Sequence, residues 1–309
     1  MLSIPTFHGK EKSSISKQET KGQGISMVEV KIDNFVFNCR TAGISNRGDG
    51  IILLHGFPET SHMWLELMTL LSSKGFRVVA PDQRGYSPGA RPRKVSAYKF
   101  GKLVDDIFSM ADSFGFNQFH LVGHDWGASI GWGMVAVNPD RVISWTAMSV
   151  PHLKAFGEAL KTDDDQKKKS KYFGFFKLPF IPELYFSFNN YQKLKNIWDK
   201  SSAEEIEAYL QVFKVKAALK ASLNWYRANI GSVSNKESLI SRGDINTPSQ
   251  LIWGNKDMAL GRRGTELTEK FMKGPYRFIE IEAGHWLIQE AYEEVSASIL
   301  ELIEMNTNP

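Results

Sequence analysis

Asp125 stands at the centre of Gly123-His124-Asp125-Trp126-Gly127, directly after the apolar run Phe119-His120-Leu121-Val122. Glycines two places before and two places after a central residue mark a strand, a sharp turn and a helix. Such a turn holds its central side chain in a strained conformation and leaves no room for a neighbouring Cβ. A carboxylate in that place narrows the chemistry. It is ionised at neutral pH and needs no base to activate it, unlike a hydroxyl. Attack on a carboxylic ester would leave an anhydride, whereas attack on a saturated carbon with a leaving group leaves an alkyl ester that water can cleave afterwards. Asp125 therefore points to an sp3 carbon electrophile. Taken alone, Gly-Xaa-Asp-Xaa-Gly reads equally well as a strand-to-helix turn with an Asp cap.

Two later residues break the tie. Asp257 lies in Trp253-Gly254-Asn255-Lys256-Asp257 and His285 in Glu282-Ala283-Gly284-His285-Trp286, each just past a strand-like run. Nucleophile, acid, histidine is the order of a triad carried on loops at one edge of a parallel sheet. Singly, Asp257 would pass as a turn residue and His285 as a helix cap. Of the seven histidines, His55 reads as structural, and His124 as a support for the turn.

The elements that must position these residues follow from periodicity. Val28 to Lys31 and Phe35 to Arg40 alternate about Asp33-Asn34, an antiparallel hairpin at a sheet edge. Ile51 to Leu54 is a buried parallel strand that ends in His55-Gly56-Phe57-Pro58-Glu59, at the strand end where open α/β sheets place ligands. A helix over Ser61 to Ser73, a strand over Arg77 to Ala80, a helix over Tyr98 to Phe114, the elbow unit and a strand over Arg141 to Met148 continue the alternation. The fold class is α/β with a mostly parallel sheet flanked by helices. From 151 to 235 the chain is helical and aromatic, and reads as an inserted helical cap between a first core part, 27–150, and a second, 236–309. Within it, Lys161 to Lys171 reads as a solvated loop. The aromatics Tyr172, Phe173, Phe175, Phe176, Phe180, Tyr185, Phe186, Phe188 and Tyr191 suit both packing and a lid over an apolar substrate. Core strands resume at Gln250 to Trp253 and Tyr276 to Glu282, and Trp286 to Met305 closes as one helix. Residues 1–26 are polar, lack an apolar leader core and read as a flexible extension, with Met27 as a second possible start.

Composition sets outer bounds. The 309 residues, 42% hydrophobic, suffice for one large core with an excursion. Charges of both signs are interleaved at a net +4, which offers no basic stripe for nucleic acid. The lone Cys39 and the lack of a membrane-length apolar run suit a reducing, cytoplasmic location with no membrane span. No metal-ligand cluster, phosphate loop or dinucleotide fingerprint is visible, so no cofactor or metal is expected.

With these residues in place, the chain resembles the epoxide hydrolase branch of the α/β-hydrolase family over residues 27 to 305. The resemblance is carried by His55 to Glu59, Pro81-Asp82-Gln83-Arg84-Gly85-Tyr86-Ser87-Pro88-Gly89, Gly123 to Ala128, Asn224-Trp225-Tyr226-Arg227, Asp257 and Gly284-His285-Trp286. It implies an eight-stranded sheet with a cap, and an epoxide opened to a diol through an ester on Asp125. It further implies an oxyanion hole from the amides of Phe57 and Trp126, and a water activated by His285 with Asp257. Two cap tyrosines act as ring-opening acids in that family, and Tyr226 matches the second. The position aligned with the first falls on Pro182, which has no proton to donate, so Tyr185 and Tyr191 stand as candidates beside Tyr226 acting alone. The expected partners are a small apolar epoxide and water, with the chain a monomer or homodimer. A haloalkane or haloacid dehalogenase with the same Asp nucleophile is the alternative, weakened by Phe57 where an asparagine usually holds the halide. A non-catalytic ligand receptor is a more distant one.

Overall fold

The computed structural model of the protein describes residues 15–18, 24–215, 217–231 and 244–307. The strands are β1 (Ile15–Gln18), β2 (Ile25–Ile32), β3 (Phe35–Ala42), β4 (Gly50–Leu54), β5 (Arg77–Pro81), β6 (Phe119–His124), β7 (Val142–Met148), β8 (Ser249–Gly254) and β9 (Tyr276–Ile281). They form one sheet in the order β1-β2-β3-β5-β4-β6-β7-β8-β9. The pairings from β5 through β9 are parallel, and β1, β2 and β3 are joined to them in antiparallel fashion. Eight strands match the expected sheet. The ninth, β1, lies in the segment expected to be a flexible extension and pairs its backbone with Met27 to Val30.

The central strands are apolar without alternation because both their faces are covered. All five residues of β4, all six of β6 and all six of β8 are buried. Helices α1 (Leu65–Ser73), α2 (Phe100–Ser113) and α3 (Trp126–Val137) connect the first half. Among the described residues the excursion is helical: α4 (Leu153–Thr162), α5 (Asp164–Lys169), α6 (Tyr172–Phe176), α7 (Ile181–Ile197), α8 (Ala203–Phe213) and α9 (Ala218–Asn229). Then come α10 (Arg262–Thr268), α11 (Leu287–Glu290) and α12 (Tyr292–Asn306). The expected single C-terminal helix is thus two, interrupted at Ala291, whose φ of −147° is not helical. The expected cap boundary at residue 235 lies outside the described residues. Among the described residues no helix is long and apolar enough to cross a membrane.

The order β5-β4-β6 sets the site. The chain leaves β4 for β5 on one side and returns with β6 on the other, which opens a crevice beyond the carboxyl ends of β4 and β6. Leu54 is paired with Gly123, so the loop after β4 and the elbow after β6 emerge side by side.

Candidate active site

The elbow is strained in the sense its glycines predict. Asp125 has φ 50° and ψ −118°, outside the regions an L-residue ordinarily occupies. A Cβ on Gly127 would meet the Leu54 carbonyl oxygen at 2.1 Å, so α3 can start against β4 only with glycine there. A Cβ on Gly56 would meet Asp125 Cβ at 2.3 Å, and its absence lets the loop after β4 close on the carboxylate. The Phe57 amide then donates to Asp125 Oδ1 at 2.8 Å. His55 holds this loop, as expected of it. Its Nδ1 donates to the Gly56 carbonyl at 2.9 Å and its Nε2 accepts from the Gln83 amide at 3.1 Å.

His285 Nδ1 donates to Asp257 Oδ2 at 2.8 Å, and its Nε2 lies 3.8 Å from Asp125 Oδ2. The other oxygen of Asp257 accepts from the amides of Ala259 and Leu260 at 2.7 and 3.0 Å, which orients the carboxylate toward the imidazole. Burial alone would raise the acid. The charge and hydrogen bond of His285 outweigh it, with the two amides, and hold Asp257 below its ordinary value. For His285 burial works toward the neutral ring, but the charges of Asp257, Asp125 and Glu59 prevail and raise it to about 9.

Glu59 is a contributor that the sequence reading passed over. It is fully buried, accepts from Gln289 at 2.8 Å through Oε1, and sets Oε2 3.2 Å from His124 Nδ1. His124 Nε2 in turn donates to the His285 carbonyl at 2.8 Å, so this histidine supports the loop that carries His285. The only sequence signal for Glu59 was its place at the end of the loop after β4.

The charged stretch 161–171 is not the solvated loop expected of it. Asp163 caps α5 through the amides of Asp165 and Gln166, and Asp164, Asp165 and Lys167 to Lys169 place acids at its start and bases at its end, as a helix dipole favours. From α5 the buried Gln166 accepts from the Gly261 amide at 2.8 Å and donates to the Ala259 carbonyl at 2.9 Å. Lys169 donates to the Asp257 carbonyl. The helix thus grips the loop that carries Asp257.

Against the elbow and the loop after β4 packs α9, through Trp225 and Tyr226. Trp225 Nε1 donates to the Arg84 carbonyl at 2.8 Å, and Arg227 makes a two-pronged pair with Glu183 of α7 at 2.7 and 2.9 Å. Between these anchors Tyr226 is buried, its ring edge-on to Trp126 at 5.1 Å, Phe57 at 5.6 Å and Phe176 at 4.9 Å. Burial, and then the charge of Asp125, push its phenol well above the usual range, against a hydrogen bond from Trp126.

The structure does not bring Tyr185 or Tyr191 to this cluster. Tyr185 is exposed on α7 and packs on Phe175 and Phe186, and Tyr191 is the last residue of a break in that helix, with φ 62°. Neither ring contacts Tyr226, Phe57 or Trp126 among the described residues. Tyr172 does reach the cluster. It opens α6 ten places before Pro182, and its ring lies 6.2 Å from that of Tyr226. Burial raises its phenol first, followed by the charges of Asp125 and Asp257. Sequence reasoning counted Tyr172 among the cap aromatics but could not separate it from its neighbours, because which aromatic turns inward depends on where each short helix starts. Phe173, Phe175, Phe176 and Phe186 pack inward with it, whereas Phe180 and Phe188 are exposed.

A strained elbow on a mostly parallel sheet, facing an acid and a histidine from later strand ends beneath a helical excursion, is the site of an α/β-hydrolase. The chain belongs to that family: the family model described as alpha/beta hydrolase fold matches residues 50–292. It falls in the branch that holds proteins named epoxide hydrolases. It is similar to the AB hydrolase superfamily protein YfhM of Bacillus subtilis (strain 168), 32% identical over 91% of this chain and 99% of that one. It is likewise 32% identical to human epoxide hydrolase 4, over 91% of this chain and 79% of that protein. Among solved structures, an epoxide hydrolase from Bacillus megaterium in complex with an inhibitor superposes with a TM-score of 0.79 at 26% identity, covering 89% of this chain and 99% of that one.

Proposed function

We propose that this protein is an epoxide hydrolase that opens an apolar epoxide to a vicinal diol through an alkyl ester on Asp125. The observation that carries the reading is the buried phenol of Tyr226, with the partly buried one of Tyr172 beside it, near the carboxylate of Asp125. Asp125 attacks a ring carbon, the C–O bond breaks, and the departing oxygen takes a proton from Tyr226, with Tyr172 as the second donor. An alkoxide is a far stronger base than a phenolate, so the donor is needed. Phenols raised above their usual range remain protonated at neutral pH and can serve. A halide leaves without a proton, so these phenols favour the epoxide over the dehalogenase reading.

Alkylation removes the charge of Asp125, one of the three that hold His285 protonated. The imidazolium then returns a proton to the phenolate and becomes the base for the second step. Water loses a proton to His285 and attacks the ester carbonyl. The amide of Phe57 and that of Trp126, whose place at the first position of α3 leaves it no intrahelical partner, hold the oxyanion. On collapse the diol oxygen takes the proton of the added hydroxyl, so Asp125 is again a carboxylate and His285 again an imidazolium. Asp257 orients the ring throughout.

One turnover by excess enzyme in oxygen-18 water tests this. The label is expected in the Asp125 carboxylate and not in the diol, and label appearing directly in the diol would overturn the covalent route. The same assay beside a chloro- and bromoalkane panel with halide detection separates epoxide from halide, and a receptor would turn over neither.

A further inference from the structure

We propose that the outer face of the cap, over residues 178–188, docks on an anionic lipid surface. Six of the twelve exposed large apolar side chains among the described residues fall in these eleven positions: Leu178, Phe180, Ile181, Leu184, Tyr185 and Phe188. A surface helix ordinarily turns its apolar stripe to the core. Here Ile181, Leu184, Tyr185 and Phe188, spaced by three, one and three, are 52, 69, 44 and 74% exposed. The opposite side carries buried Pro182 and Phe186, and Phe186 packs on Phe57 at 6.1 Å. The helix therefore has two apolar faces, one satisfied by the protein and one not.

Charge names the partner. Lys171, Lys177, Lys193 and Lys195 flank this segment, and Lys220 reaches over the Phe180 ring at 5.6 Å as Lys193 does over Tyr185 at 5.5 Å. The one acid between 171 and 197, Glu183, is occupied by Arg227. None of the five lysines forms an ion pair among the described residues. Exposed aromatic and aliphatic side chains framed by unpaired lysines suit the headgroup boundary of an anionic bilayer. A second copy is disfavoured by the same residues, since a two-fold interface through this face would set lysines against lysines. A lipid surface is also where an apolar epoxide accumulates, and the inner face of the helix leads to Phe57.

The test is sedimentation of the full chain with vesicles, which involves no substrate and so stands apart from the proposed reaction. The protein is expected to sediment with phosphatidylcholine vesicles containing about one-third phosphatidylserine and to stay in solution with phosphatidylcholine alone. Leu184→Ser with Phe188→Ser is expected to weaken binding at least about tenfold, and Lys193→Glu with Lys195→Glu by a similar factor. These positions are at the surface, so unchanged thermal melting shows that both variants fold. No sedimentation at any composition overturns the proposal, as does undiminished binding by both variants. Self-association abolished by the apolar variant, without vesicle binding, assigns the face to a second copy and overturns the proposal as well.

Discussion

His285 Nε2 stands 3.8 Å from Asp125 Oδ2, beyond hydrogen-bonding distance but close enough for that carboxylate to add its charge to the larger effect of Asp257 in raising the imidazole against its burial. Histidine in this position titrates near 9 in the resting enzyme. Its proton is bound more tightly in the folded than in the unfolded chain, so its contribution to stability is complete below about 6.5 and is lost as pH rises through about 9. Asp125→Asn is expected to bring the titration down toward neutrality, as followed by the imidazole proton resonances. A titration unmoved by Asp125→Asn would remove the coupling.

His285→Gln is expected to leave alkylation intact and to block ester hydrolysis, because the carboxylate needs no base and the water does. Intact mass spectrometry should show the enzyme plus one substrate mass. Full steady-state diol formation by this variant would take His285 out of the mechanism. Asp257→Asn is expected to be milder, since the acid orients the imidazole and breaks no bond itself.

Tyr226→Phe and Tyr172→Phe are each expected to slow single-turnover alkylation by roughly 10² to 10⁴, with ester hydrolysis little changed. Tyr185→Phe and Tyr191→Phe should leave both steps as they are. Unchanged alkylation in the two former variants would point to a leaving group that needs no proton.

Gln166→Ala removes the side chain that joins α5 to the acid loop and leaves the Gly261 amide and Ala259 carbonyl without it. Urea unfolding is expected to show a loss of about 1–3 kcal/mol, the cost of stranding buried polar groups. If Gln166 also positions Asp257, ester hydrolysis will slow more than alkylation. Equal loss in both steps would confine Gln166 to a structural role.

The sequence by itself determined the α/β alternation, because strands buried on both faces need continuous apolar runs such as Ile51 to Leu54, and these are visible without coordinates. It also determined the positions of Asp125, Asp257 and His285, since each follows a strand end and strand ends are the most legible points of such a chain. Tertiary structure decided which cap residues meet them. A start one or two residues earlier or later rotates each aromatic of a cap helix by about 100° or 200°, from the core to solvent, so Tyr172 and Tyr185, both in an aromatic stretch, end on opposite sides. Spacing along the chain carries no record of that rotation, and the alignment that fell on Pro182 had no means of detecting it. Charge alone likewise could not tell α5 from a loop. Its capping and dipole suit a helix, but its hold on Asp257 through Gln166 and Lys169 exists only once β8 and the cap are folded against each other. The same holds for Glu59, whose charge reaches His285 because the ends of β4 and β9 open into one crevice, across more than two hundred residues of chain.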